Sequence, residues 1–184
     1  MPVITVFGGG TYNDNSPEYR SGMELGKLLA EKNFHIATGG FSGIMEAVLR
    51  GAKDFNIRRI GVTTDFFQNR QPNEYINEEI KIADYISRLN KLIEIGDAYI
   101  IMPGETGTLL EFAAVWALKE KGVMKVNKPI VCCGDQWNEV IQTMSFYSEA
   151  LLERSYLIDY AETIYDVIDN ISKYFGWLNE TNFW

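Results

Sequence analysis

Three short glycine-rich stretches carry the residues best suited to chemistry in this chain: Gly8-Gly9-Gly10-Thr11, Thr38-Gly39-Gly40-Phe41-Ser42-Gly43 and Pro103-Gly104-Glu105-Thr106-Gly107-Thr108. Glycine lets the backbone approach a ligand closely. The second and third stretches run straight into segments of helical period, whose free N–H groups and dipole favour an anion. A small phosphorylated ligand is the natural occupant. None of the three fits the dinucleotide fingerprint Gly-x-Gly-x-x-Gly, and none ends in the Lys-Ser/Thr of a P-loop, so neither a nicotinamide enzyme nor an NTPase is indicated.

Two charged residues lie near these loops. Glu111 follows Thr108 by three residues, and Thr-x-x-Glu is the capping-box spacing, in which the pair closes a helix N-terminus. The same spacing can instead hold a carboxylate at the mouth of the anion loop, where it would stabilise positive charge developing on a sugar. Arg88 sits on the helical segment before the strand at 98–102. It is either a solvated surface arginine or a cation aimed at the same edge.

The elements that would position these residues alternate between strand and helix. Compact apolar runs at Val3–Phe7, His35–Thr38, Arg59–Thr63, Ala98–Met102 and Pro129–Cys132 read as strands. Helical periods cover Pro17–Glu31, Ile44–Phe55, Asp84–Ile95, Leu109–Lys121, Trp137–Leu152 and Thr163–Tyr174. Ser16 before Pro17 is a capping residue followed by proline at the first helical position. Asp65–Asn73 reads as a polar loop. Apolar strands without clean alternation, separated by helices, predict a parallel or mostly parallel sheet covered on both faces, a Rossmann-like α/β three-layer sandwich. In such a sheet ligands bind beyond the carboxyl ends of the strands, and each glycine-rich loop follows a strand.

With 184 residues, 46% hydrophobic and 23% charged, the chain has the size of one domain, read here as residues 1–177 with a tail at 178–184. The net charge of −8 is uneven: residues 1–134 carry 16 acids and 15 bases, whereas residues 135–184 carry 9 acids and 2 bases. A nearly neutral body with an acidic end offers no basic stripe, which argues against nucleic acid as a partner. Apolar runs fall short of the roughly 18–20 residues that cross a bilayer, and the N-terminus reads as a first strand rather than a signal peptide, so no membrane partner and a cytoplasmic address are expected. Adjacent Cys132 and Cys133 are ill placed to bridge each other, no Cys-x-x-Cys occurs, and His35 is the sole histidine, so no metal and no cofactor are expected.

The segments Thr38-Gly39-Gly40-Phe41-Ser42-Gly43-Ile44-Met45-Glu46-Ala47, Arg50-Gly51-Ala52 and Pro103-Gly104-Glu105-Thr106-Gly107-Thr108-Leu109-Leu110-Glu111 resemble the LOG (Lonely guy) family, long labelled "possible lysine decarboxylase". The family pattern is Pro-Gly-Gly-x-Gly-Thr-x-x-Glu, and the resemblance runs from the first strand to about Trp137. Molybdenum cofactor carrier proteins look similar. The resemblance implies a phosphoribohydrolase that cuts the N-glycosidic bond of a nucleoside 5′-monophosphate, AMP or a cytokinin ribotide, to free base and ribose 5-phosphate. It implies the 5′-phosphate on Gly104, Gly107 and Thr108, and Glu111 at the ribose. Arg88, nine residues before Asp97 as in the hydrolases, would orient substrate or leaving group, and Gly39, Gly40, Gly43 and Met45 would line the crevice. It also implies a homodimer. The alternative is a carrier that binds molybdenum cofactor or another phosphorylated, nucleotide-like ligand without turnover. The decarboxylase label finds no support in the loops, none of which contains the lysine that pyridoxal phosphate requires. Two departures from the pattern stand out. Glu105 replaces a glycine beside the expected phosphate, and Tyr85-Ile86 and Leu89 replace the family's usual neighbours of the arginine.

Overall fold

The computed structural model describes residues 1–67, 70–124 and 127–181. Seven strands form one sheet in the order β4-β3-β2-β1-β5-β6-β7: β1 (Val3–Phe7), β2 (His35–Thr38), β3 (Arg59–Thr64), β4 (Glu78–Ile82), β5 (Ala98–Ile101), β6 (Ile130–Cys133) and β7 (Asp159–Ala161). Every pairing is parallel. The helices are α1 (Pro17–Glu31), α2 (Ile44–Gly51), α3 (Tyr85–Ile95), α4 (Thr106–Glu120), α5 (Asp135–Tyr147), α6 (Glu149–Leu152) and α7 (Ile164–Thr181). The Rossmann-like sandwich read from the sequence is therefore the observed architecture.

The two cores follow from the period-2 alternation of buried strands. Ile4, Val6, Ile36, Ile100 and Val131 face α1, α2 and α7, packing on Leu25, Val48 and Val167. Phe7, Ile60, Val62, Tyr99 and Ile101 face α3, α4 and α5, packing on Leu92, Phe112 and Trp137. Cys132 and Cys133 fall on opposite faces, each a free, buried thiol. His35 is likewise structural: its Nδ1 accepts the Arg58 amide at 3.2 Å.

Several expectations need correction. β4 lies beyond the expected polar loop and was not read as a strand, and β7 was missed as well. Both are edge strands, short or studded with charge: Glu78 pairs with Arg58 at 2.6 Å, and Glu79 accepts the Thr63 hydroxyl. Edge strands carry little apolar signal because one side faces water. The expected helix 137–152 breaks at Ser148 into α5 and α6. α7 continues through Thr181, into the expected tail, with Phe175 packed on Phe34 at 5.3 Å; residues 182–184 lie outside the described set. The Thr108-x-x-Glu111 capping box does not form. α4 begins at Thr106 with Glu105 at its N-cap, so Thr108 is already inside the first turn. The reciprocal pattern occurs at α7 instead, where Asp166 accepts the Thr163 amide at 3.0 Å and returns its own amide to the Thr163 hydroxyl.

Strand order reverses beside β1, which leaves for β2 on one side and meets β5 on the other. The gap above this reversal opens because consecutive connections depart in opposite directions. Helices α1 and α2 flank it and touch backbone to backbone: a Cβ on Gly26 would stand 1.9 Å from the Val48 carbonyl oxygen. Backbone cannot yield as a flexible side chain can, so Gly26→Ala should lower unfolding free energy by about 1–3 kcal/mol or more. A urea denaturation midpoint read by circular dichroism checks this.

Candidate functional site

A cleft of about 400 Å³ lies over the β1/β5 reversal. Its floor is made by the loops after β1, β2 and β5, which are held together by main-chain hydrogen bonds. The Gly9 amide donates to the Pro103 carbonyl at 2.9 Å, and the Ile44 amide donates to the Gly9 carbonyl at 2.9 Å. Gly43 takes φ of +74°, and a Cβ there would lie 2.2 Å from the Gly9 carbonyl oxygen, so both conformation and space demand glycine. The β5 loop is clamped from behind. Gln136 accepts the Gly104 amide and donates to its carbonyl at 2.7 Å, while the Trp137 indole donates to the Met102 carbonyl at 2.9 Å.

Above this floor α4 presents its N-terminus. Glu105 makes no side-chain cap, and the first intrahelical bond runs from the Leu109 amide to the Glu105 carbonyl, which leaves the amides of Thr106, Gly107 and Thr108 without helical partners. These amides, with the helix dipole, suit an anion. The Glu105 carboxylate accepts the Thr11 hydroxyl, lying over Gly9 and bridging the first and third glycine loops.

Arg88 is 3% exposed, so the surface-arginine reading is excluded. Its Nε donates to the Val62 carbonyl at 2.7 Å and its Nη2 to the Gly39 carbonyl at 2.8 Å, and the guanidinium lies 5.5 Å from the Phe41 ring centre. A Cβ on Gly39 would collide with Nη2 at 1.9 Å. Burial draws the guanidinium below its ordinary value, opposed by the charge of Glu111. Glu111 lines the same cleft. Burial pushes its carboxyl up to about 7, with the Arg88 charge pulling the other way. A carboxyl poised near neutrality beside a fixed cation is the kind of group that exchanges protons in a reaction.

Of the residues singled out in the sequence, Arg88, Glu111, Met45, Gly107 and Thr108 line one cleft. Gly39, Gly40, Gly43 and Gly104 lie behind the wall. The Gly40 carbonyl accepts the Asn73 amide at 2.9 Å, and a Cβ on Gly104 would strike the Thr108 hydroxyl at 2.2 Å. They shape the cleft by letting other groups pass close. The sequence assigns no role to Phe66, Phe67 and Arg70, which lie in the stretch read as a polar loop, or to Gln136, and marks Tyr85 only as a departure from the family pattern. Two consecutive phenylalanines inside a polar stretch were the available signal. Among the described residues no group of three or more His, Cys, Asp or Glu is placed to hold a metal, and no helix is long and apolar enough to cross a membrane.

Comparison with known proteins places this geometry among relatives. The pyrimidine/purine nucleotide 5′-monophosphate nucleosidase of Escherichia coli (strain K12) is 32% identical over 117 residues, covering 59% of this chain; the chain spans 25% of that protein's length. The cytokinin riboside 5′-monophosphate phosphoribohydrolase LOG3 of Arabidopsis thaliana is 29% identical over 129 residues, 69% of this chain and 59% of that protein. Among solved structures, the molybdenum cofactor binding protein of Rippkaea orientalis superposes with a TM-score of 0.73 at 22% identity, over 94% of this chain and 96% of that one, a likeness of fold. The SLOG cluster4 family model matches residues 1–158. The resemblance read from the two glycine loops thus holds, and the chain belongs to the SLOG cluster4 family.

Proposed function

We propose that the protein hydrolyses the N-glycosidic bond of a nucleoside 5′-monophosphate of the AMP or cytokinin ribotide type, releasing free base and ribose 5-phosphate. The observation that carries this reading is Glu111, a carboxyl held near neutrality by burial, on the same cleft as the unpartnered amides opening α4. The names of the E. coli and Arabidopsis relatives support it. In this reading the 5′-phosphate lies against the amides of Gly107 and Thr108. The C1′–N bond breaks with its electron pair going to the base. Glu111, as carboxylate, stabilises the oxocarbenium-like sugar and takes a proton from the attacking water, whose oxygen bonds to C1′; the departing base nitrogen takes a proton from solvent, to which Glu111 gives up the one it gained. Arg88 retains Nη1 for the substrate, since its two observed hydrogen bonds use Nε and Nη2.

A homodimer belongs to the same reading, with the exposed Leu109 and Leu110 on the outer side of α4 as part of the interface. One observation favours a second reading. The Rippkaea orientalis neighbour is a molybdenum cofactor binding protein, which supports a carrier that holds a phosphorylated, nucleotide-like ligand such as molybdenum cofactor without cleaving it, whereas the Glu105 carboxylate beside the α4 N-terminus opposes a phosphate dianion in either reading.

Incubation with a panel of nucleoside 5′-monophosphates, including AMP and isopentenyl-AMP, with free base followed by chromatography, separates the two. Base release by the native protein that falls by about 10²–10⁴-fold in Glu111→Gln supports hydrolysis. Stoichiometric binding without base release supports the carrier. Arg88→Ala should also abolish release. Because it orphans the Val62 and Gly39 carbonyls, it should cost about 1–3 kcal/mol of stability in a parallel denaturation measurement.

The rate should depend on pH through Glu111. The group acts as carboxylate and its carboxyl is raised to about 7, so kcat/KM should fall as pH drops through that value and level off above it. A pH–rate profile with no acidic limb between pH 6 and 8 would count against Glu111 as the base. Glu105→Gly should remove the competing carboxylate and tighten binding of a nucleoside monophosphate relative to its nucleoside, as read by calorimetry.

A further inference from the structure

The cleft has an aromatic side that the proposed hydrolysis does not use. Phe66, Phe67 and Tyr85 form a cluster of mutually touching rings at its rim, with centroids 5.4, 6.1 and 5.6 Å apart. Phe67 meets the buried Phe41 edge to face at 5.6 Å, which anchors the cluster to the core. Phe66 is 65% exposed although it is braced by two rings, so a large apolar surface faces the opening. The Arg70 guanidinium lies 5.0 Å over the Phe67 ring and lines the same opening, and no carboxylate among the described residues pairs with it. Tyr85 joins the two ends of the cleft. Its hydroxyl would stand 3.6 Å from a Cβ on Gly107 in the first turn of α4, while its ring belongs to the aromatic cluster.

We propose that Phe66 is the stacking platform for the ligand's planar base and that Arg70 donates to an acceptor on that base's edge, such as a purine ring nitrogen. The inference rests on the reading above that the cleft takes a nucleotide. An exposed ring braced from behind has one free face, and every nucleobase offers a π-face to it. Arginine has donors and no acceptor, so the atom it meets on the base must accept, and the ring nitrogens of a 6-aminopurine do so. With the phosphate at α4, Tyr85 spans the distance between the two ends, and the base falls on the Phe66 side.

The test is equilibrium binding by calorimetry in the Glu111→Gln background, so that no turnover intervenes, with IMP, AMP and ribose 5-phosphate as probes. Phe66→Ala should weaken both nucleotides about tenfold while leaving ribose 5-phosphate unchanged, with Phe66→Trp restoring the affinity. Arg70→Gln should likewise weaken both nucleotides and leave ribose 5-phosphate unchanged. Nucleotide affinity indifferent to Phe66→Ala, or ribose 5-phosphate weakened in parallel, overturns the platform. Nucleotide affinity unchanged in Arg70→Gln, or ribose 5-phosphate weakened with it, overturns the role of Arg70. Failure of the hydrolytic reading would be seen separately, as nucleotide binding by the native protein without base release.

Discussion

The cleft depends on a guanidinium buried beneath the ends of its strands. Arg88 reaches from α3 to the carbonyls of Val62 on β3 and Gly39 after β2. A buried cation is costly unless its donors are met, and these two carbonyls meet two of them. The bonds draw α3, β3 and the loop after β2 to one point and force residue 39 to be glycine, since Nη2 occupies the space of a Cβ. They also set a positive charge below the cleft. That charge keeps the buried Glu111 carboxyl from rising further than about 7.

Charge elsewhere in the site is arranged by backbone. The amides of Thr106, Gly107 and Thr108 face the opening without helical partners, which gives the third glycine loop a positive partial charge with no basic side chain. Gln136 and Trp137 hold that loop from behind, so the amides are oriented before any ligand arrives. Glu105 acts against this field, and its carboxylate is drawn to the Thr11 hydroxyl of the first loop. The site therefore offers an amide-lined helix end and an acidic bridge on one side, and an aromatic rim with Arg70 on the other.

Much of this was legible in the sequence. The central strands are apolar throughout because both faces are buried, and that composition identifies a covered parallel sheet. The glycine loops could be placed at one edge because each follows a strand. What escaped were elements whose sequence carries conflicting signals. The charges on β4 belong to an edge strand, yet by themselves they read as loop. Thr108 and Glu111 have the capping-box spacing, but α4 starts two residues earlier, at Thr106, so the threonine falls inside the first turn. Spacing defines a pair of residues and leaves open where the helix begins.

The sequence by itself determined the fold class, the edge at which the cleft opens and the family, since these follow from local apolar period and from glycines at strand ends. Tertiary structure decided which charges matter. Whether Arg88 is solvated or buried depends on how α3 packs over β3, a contact between residues 26 positions apart. Whether Glu111 titrates near 4 or near 7 depends on how much water the assembled cleft admits. The aromatic rim arose in the same way. Phe41, Phe67 and Tyr85 come from three separate segments, and only packing brings the Phe67 ring within 6 Å of the other two.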